Sequence, residues 1–507
     1  VEPDDAAALV DGVDLAIVRL LGGAATWPQG LNAVLTSGVP TVVLGGETAP
    51  DAELMASSTV PAGVAHTALG YLVEGGPENL HQLAAFLSDT VLRSGHGFAP
   101  AAAMPQVGLR GGMTEPEPDG RPRVGVVYYR AHELSGNTAF VDALVAGLDA
   151  AGAQSVPAFC ASLRGLDSLD HPLMQLLAGC DALVVTVLAA GGTVAADASA
   201  GGDEDAWSIG ALAELDIPVL QGICLTSSLE QWTAADTMSP MDAAMQVAIP
   251  EFDGRIISVP FSFKEIGDDG LPHYVADAER VRRLAGIAVR QARLRHVPPA
   301  DKRIGIMLSS YPTKHARVGN AVGLDTPASA VRLLNALAAQ GVNVGGPVPE
   351  DPDALIHQLI AAGGHDVEWL TEAQLAAAPA RVPLENYRRT FDALPDELRE
   401  QLRTAWGEPP GSLYVDGSDI VLAGMLLGNV ALMIQPPRGF GENPIAIYHD
   451  PELPPSHHYL AAYRWLVDDF GADAVVHLGK HGTLEWLPGK GLGNSATCAP
   501  DAVLGDL

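Results

Sequence analysis

Lysine is scarce in this chain. Of its 507 residues, 29 are Lys or Arg, and only Lys264, Lys302, Lys314, Lys480 and Lys490 are lysines, against 61 Asp and Glu and a net charge of -32. That balance builds no extended basic surface, which excludes nucleic acid or an anionic membrane face as the main partner, because both require a positive field. Cysteine is nearly missing too. Cys160, Cys180, Cys224 and Cys498 are far apart and form no CxxC pair, which excludes a disulfide framework and a cysteine zinc site and points to a reducing, cytoplasmic compartment. The longest apolar run, Ala182 to Ala190 broken by Thr186, is about half a membrane span. No N-terminal segment has a targeting pattern. The chain opens on Val1 in mid-pattern and stops at Leu507 without a terminating signal, so it is expected to be part of a longer polypeptide.

Several catalytic signatures are also missing. No GxxxxGK(S/T) phosphate loop, HExxH or GxSxG occurs, so any nucleotide hydrolysis falls to another chain. Gly489 to Gly493 is glycine-rich but follows no strand directly, and no internal repeat has a fixed period.

What is present is material for several cores: 48% of residues are hydrophobic and 18% charged, which excludes global disorder. The length suggests about three domains. The divisions expected are 1–113, an N-terminal α/β domain; 114–300, a second α/β domain ending in a long helix; and 301–507, a third, cut short. The Pro- and Gly-rich stretch Met104 to Arg123 reads as a linker. Strands are expected at Leu15–Leu21, Pro40–Leu44, Val124–Tyr129, Ala182–Val187, Val219–Cys224, Ile304–Leu308, Val430–Gln435 and Ala474–Leu478. Helices are expected between them at Leu31–Ser37, Thr138–Ala150, Val275–Arg295 and Ala328–Ala339. Short apolar runs alternating with amphipathic helices predict an α/β fold: several doubly wound, flavodoxin- or Rossmann-like parallel-sheet domains arranged around a cleft.

In such sheets ligands bind beyond the carboxyl ends of the strands. Four strands deliver polar, Gly-rich loops there: Arg130 to Asn137, Ser309 to Pro327, Pro436 to Asn443, and His477 to Lys490. Five of the 15 histidines, His449, His457, His458, His477 and His481, fall near the last two. Tandem His457-His458 reads as the start of a helix, since Tyr459, Tyr463 and Leu466 follow at helical spacing. His481 and Glu485 are four apart and share a face if that loop turns helical. An imidazole beside a carboxylate coordinates a divalent ion or moves protons; the same spacing also suits a hydrogen-bonding pair that only shapes the loop.

The run His477-Leu478-Gly479-Lys480-His481-Gly482-Thr483-Leu484-Glu485-Trp486-Leu487-Pro488-Gly489-Lys490 resembles the signature of the large subunits of tetrapyrrole metal chelatases, the CobN/magnesium chelatase family. The blocks Tyr129 to Thr138, Pro250 to Arg255, Gly319-Asn320 to Pro327, Gln435 to Gly441 and Tyr448-His449-Asp450-Pro451 to Tyr459 are similar to others in that family. Lys480, Trp486 and the Tyr448 block look more like its cobalt branch. The resemblance implies a cytoplasmic three-component ligase. This subunit would hold the macrocycle and Co2+, while two further chelatase subunits of the CobS/CobT type, including an AAA+ ATPase, use ATP and Mg2+. The implied substrate is hydrogenobyrinic acid a,c-diamide, in aerobic cobalamin synthesis. The alternatives are a magnesium chelatase large subunit inserting Mg2+ into protoporphyrin IX, and a non-catalytic tetrapyrrole-binding or sensor protein.

On that reading Glu485, His481 and His477 are the catalytic candidates. Glu485 acts as base and His481 handles the metal, or the reverse, and His481, Glu485 and His449 form the metal set. Trp486 and Phe440, with Tyr448, are candidate apolar walls for the macrocycle. Lys480, Lys490 and Arg438 are candidate partners for its carboxylates, and Arg130, His132 and Asn320 are further substrate-binding candidates. Arg130 and Arg438 also suit a role as loop anchors.

Overall fold

The computed structural model describes residues 3–163, 166, 168–188, 211–310, 318–366, 371–439, 450–480 and 482–507. The chain divides into two compact units, Val1–Met113 with Tyr128–Thr138 and Phe159–Ala161, and Thr114–Val127 with Ala139–Ala158 and Ser162–Leu507.

The first unit contains a parallel pair, β1 (Ala16–Leu20) and β2 (Thr41–Gly45). Successive β2 side chains point to opposite faces, and both faces are covered. Val43 packs with Leu20, Leu31 and Leu54, while Val42 and Leu44 pack with Leu69, Tyr71, Leu83 and Phe86. The stretch expected as a linker is tied down at its start: Arg130 donates to the carbonyls of Met104 (2.9 Å) and Pro105 (2.8 Å), and residues Val107–Leu109 form a short strand.

The second unit contains two larger sheets. In the first, β3 (Arg123–Tyr129), β4 (Gln154–Cys160), β5 (Ala182–Val185), β6 (Val219–Leu225), β7 (Ile256–Ile266) and β8 (Pro272–Ala276) stand in the order β4-β3-β5-β6-β7-β8. The pairs β3/β5, β5/β6 and β6/β7 are parallel, and β8 closes the edge antiparallel to β7. The expected helix from Val275 therefore starts later: Pro272–Ala276 is strand, and Asp277 caps a helix over Ala278–Leu294 by accepting from Arg280 N at 2.9 Å. This helix buries two arginines. Asp501 of the helix Ala499–Leu504 meets both, at 3.0 Å from Arg280 and 3.1 Å from Arg283.

The second sheet contains β9 (Ile304–Leu308), β10 (Gly424–Leu427), β11 (Val430–Ile434) and β12 (Ala474–Leu478) in the order β10-β11-β9-β12. β9 runs parallel to both β11 and β12, and β10 is antiparallel to β11. Strand alternation splits its side chains cleanly. Ile306, Leu308, Leu432 and Ile434 pack under the helices Thr326–Ala339 and Pro352–Ala362, while Met307, Ala431 and Met433 pack under the helix His457–Asp468. Both faces are covered, as in a doubly wound sheet. Ser456 caps the helix His457–Asp468, accepting from Tyr459 N at 3.2 Å, so the tandem histidines do open a helix. Among the described residues, no helix is long and apolar enough to cross a membrane.

Candidate functional site

The parallel sheet around β9 sets the position of the site. Hydrogen bonding continues one residue past the strands: Ser309 N donates to Leu478 O (3.1 Å) and Gln435 N to Leu308 O (2.8 Å). Ser309, Gln435 and Gly479 are thereby placed at one carboxyl edge, where a doubly wound sheet binds ligands.

Two glycines let the loop after β12 settle onto that edge. A Cβ on Gly479, whose φ is 136°, would lie 2.0 Å from Ser309 Oγ. A Cβ on Gly482 would lie 2.9 Å from Gln435 Nε2 and 3.2 Å from His477 Nδ1. Beneath the loop lies a buried tyrosine ladder: Gln435 Nε2 donates to the Tyr463 hydroxyl (2.9 Å), the Tyr463 and Tyr459 rings pack with centroids 5.2 Å apart, and the Tyr459 hydroxyl meets Thr483 Oγ1 at 2.8 Å. Burial pushes the Tyr459 phenol up to about 12 and that of Tyr463 well above its ordinary value, so both remain protonated.

His477 stacks on Tyr463 with ring centroids 5.7 Å apart, and burial of the imidazole lowers its pKa even though the residue keeps exposed surface. It is therefore neutral at physiological pH, able to accept a proton or a metal. Glu485 and Trp486 lie exposed on a single 3₁₀ turn, Leu484–Trp486, rather than on the α-helix that would put positions 481 and 485 on one face. Lys480 is half-buried beside Gly479. Arg438 is fully buried and donates to the carbonyls of Asp450 and Leu453, the latter at 3.1 Å; burial lowers its pKa, against the opposing pull of Asp450.

The far arm of the loop reaches the other sheet of the unit. Lys490 Nζ donates to the carbonyls of Trp232 (2.7 Å), Thr233 (3.1 Å) and Ala235, and sits 5.2 Å from the Trp232 ring. Gly491 N donates to Asp236 O (2.9 Å) and Trp232 Nε1 to Gly493 O (3.1 Å). The ammonium expected to meet a substrate carboxylate thus caps the carbonyl end of the helix Leu229–Ala234. These residues follow β6, so the loop spans the carboxyl edges of both sheets. The buried Arg255 guanidinium ties Val187 O (2.7 Å), Gln221 Oε1 (2.6 Å) and Asp253 (3.2 Å) together, joining the residues just past β5 to β6.

Asn320 follows Gly319, whose N–H bonds Ser309 O at 3.0 Å, and its backbone pairs with Asp325 just before the helix Thr326–Ala339. Arg130 and His132 belong to the first unit. Arg130 anchors Met104 and Pro105, and burial lowers the pKa of His132. His481, His449 and Phe440, with Tyr448, lie outside the described residues. Among the described residues, no three His, Cys, Asp or Glu side chains gather as a metal-binding group. The tyrosine ladder and Trp232 were not singled out from sequence as site residues. The i, i+4 spacing of Tyr459 and Tyr463 was the available signal; nothing comparable marked Trp232.

The sequence profile of the CobN/magnesium chelatase family matches residues 69–507. The chain belongs to that family. It is 36% identical to the aerobic cobaltochelatase subunit CobN of Pseudomonas aeruginosa over 97% of this chain and 40% of that protein. It is 31% identical to the chloroplastic magnesium-chelatase subunit ChlH of Oryza sativa subsp. japonica over 76% of this chain and 27% of that protein. The solved catalytic subunit of cobaltochelatase from Mycobacterium tuberculosis is 54% identical, with a TM-score of 0.88 over 100% of this chain and 42% of that one. The chain therefore spans between 27% and 42% of the length of these CobN/magnesium chelatase relatives.

Proposed function

We propose that this chain is part of the large, macrocycle- and metal-binding subunit of an ATP-dependent cobaltochelatase, which inserts Co2+ into hydrogenobyrinic acid a,c-diamide during aerobic cobalamin synthesis. The observation that carries this reading is the 54% identity over the whole chain to a cobaltochelatase catalytic subunit, against 31% over 76% of the chain to a magnesium-chelatase subunit. Two further chelatase subunits, including an AAA+ ATPase, supply ATP hydrolysis, consistent with the lack of a phosphate loop in this sequence.

Metal insertion requires stripping water from the ion, holding the ring and removing its inner N–H protons. Glu485, exposed on its 3₁₀ turn, takes protons as general base, and His481 handles the metal. His477, neutral and stacked on Tyr463, is a secondary proton acceptor. Trp486 supplies an apolar wall at 36% exposure, and Lys480 pairs with a peripheral carboxylate. Lys490 and Arg438 act as anchors of the surrounding loops, which their carbonyl partners support.

The test is Co2+ insertion by the full-length subunit with its partner subunits and ATP. Glu485→Ala and His481→Ala should each abolish insertion while macrocycle binding, followed by fluorescence quenching, persists. Normal turnover by either variant would overturn its assigned role.

A further inference from the structure

We propose that Tyr459 is a positioning residue which, through Thr483, fixes the 3₁₀ turn carrying Glu485. This rests on the reading of Glu485 as the base.

Gln435 Nε2 donates to the Tyr463 hydroxyl at 2.9 Å, and the Tyr463 and Tyr459 rings pack with centroids 5.2 Å apart. The Tyr459 hydroxyl shares a hydrogen bond with Thr483 Oγ1 at 2.8 Å. A buried hydroxyl pair is held together because a lost partner there is not replaced by water. Tyr459 and Tyr463 are 0% and 1% exposed, and Thr483 is 6% exposed.

Thr483 immediately precedes Leu484–Trp486, and Trp486 N returns to Thr483 O at 3.3 Å. The turn is only three residues long, too short to hold its shape by helical cooperativity. Thr483 on Tyr459 is its polar anchor, and Leu484 and Leu487 pack against the core under the helix His457–Asp468. Loss of the Thr483 anchor leaves the start of the turn without its polar link, so the carboxylate two residues on shifts. A misplacement of about 1 Å at a reacting group costs on the order of 100-fold in rate.

The experiment uses the full-length subunit with its partners. Tyr459→Phe and Thr483→Val should each lower kcat by roughly 10- to 100-fold with KM for the macrocycle unchanged. The double variant should fall no further than the single ones, because both cut the same link. Thr483→Ser, which keeps the hydroxyl, should retain most of the rate. A wild-type kcat in Tyr459→Phe, or multiplied losses in the double variant, would overturn the inference, as would a rate loss that only tracks the folded fraction measured by circular dichroism. Glu485→Ala is assayed beside them. Its normal turnover would sink the base assignment and this inference together, whereas an inactive Glu485→Ala beside a fully active Tyr459→Phe would sink this inference alone.

Discussion

Acidification should loosen the helix His457–Asp468 through one histidine. The His458 ring is completely enclosed. Its Nε2 donates to Val421 O at 3.0 Å, and the rings of Tyr414 and His365 lie 4.5 and 5.1 Å away. Burial lowers its pKa from 6.5 to about 4, because an imidazolium there would lose its water, and the single carbonyl bond only partly opposes this. The sign follows from linkage. The unfolded chain takes up the proton first, so stability is lost as pH falls through 6.5 and stops falling below about 4. The loss between pH 7.5 and 5.5 comes to about 1.3 kcal/mol, with a limit of about 3.4 kcal/mol at lower pH. Urea unfolding at the two pH values reads this out through tryptophan fluorescence, since Trp465 sits on the same helix. His458→Gln keeps a donor for Val421 and cannot titrate, so it should lose about 1.3 kcal/mol less than the wild type over that interval. The buried His457 is present in both proteins and cancels. Equal losses in the two proteins would refute the reasoning.

Lys490→Met should destabilise the second unit by about 2–3 kcal/mol, because the carbonyls of Trp232, Thr233 and Ala235 lose their shared cation; an unchanged melting temperature would contradict this. Gly479→Ala should cost about 2–3 kcal/mol, since its Cβ would lie 2.0 Å from Ser309 Oγ at a φ of 136°. Ser309→Gly in the same chain should recover the steric share, and a denaturation midpoint equally lowered with and without Ser309 would count against the close approach.

Apolar parallel strands were legible because their own residues announce them. Ile304–Leu308 and Ala474–Leu478 were read at the observed bounds, and Val219–Leu225 to within one residue. What escaped was structure decided by neighbours. Gln154–Cys160 and Ile256–Ile266 carry Pro157 and Pro260 within the strand, and the β7–β8 hairpin occupies polar sequence that continues smoothly into the following helix. The site divides in the same way. The loop after Ala474–Leu478 was read from its chemistry, whereas the stretch expected as a loop from Arg130 is a helix over Arg130–Ser135. The role of Lys490 was not legible, because a lysine bound to backbone carbonyls and one facing a ligand look identical in sequence. Lys490 and Arg130 both turned out to hold backbone carbonyls.

The signature loop gains meaning from where its two ends are fixed. At the near end Gly479 presses on Ser309, and Thr483 stands on Tyr459, at the carboxyl edge of the β9 sheet. At the far end Lys490, Gly491 and Gly493 are bound to residues 232–236, just past the carboxyl end of β6 in the other sheet. Each attachment uses a hydrogen bond or a missing Cβ, and both hold only within narrow limits of distance. A shift of either sheet edge is therefore passed to the turn that carries Glu485 and Trp486. On the proposed function, a chain of net charge -32 offers no long-range attraction to a carboxylate-rimmed ring. Holding it would fall to a few short-range donors, and those work only if the loop bearing them is fixed at both ends.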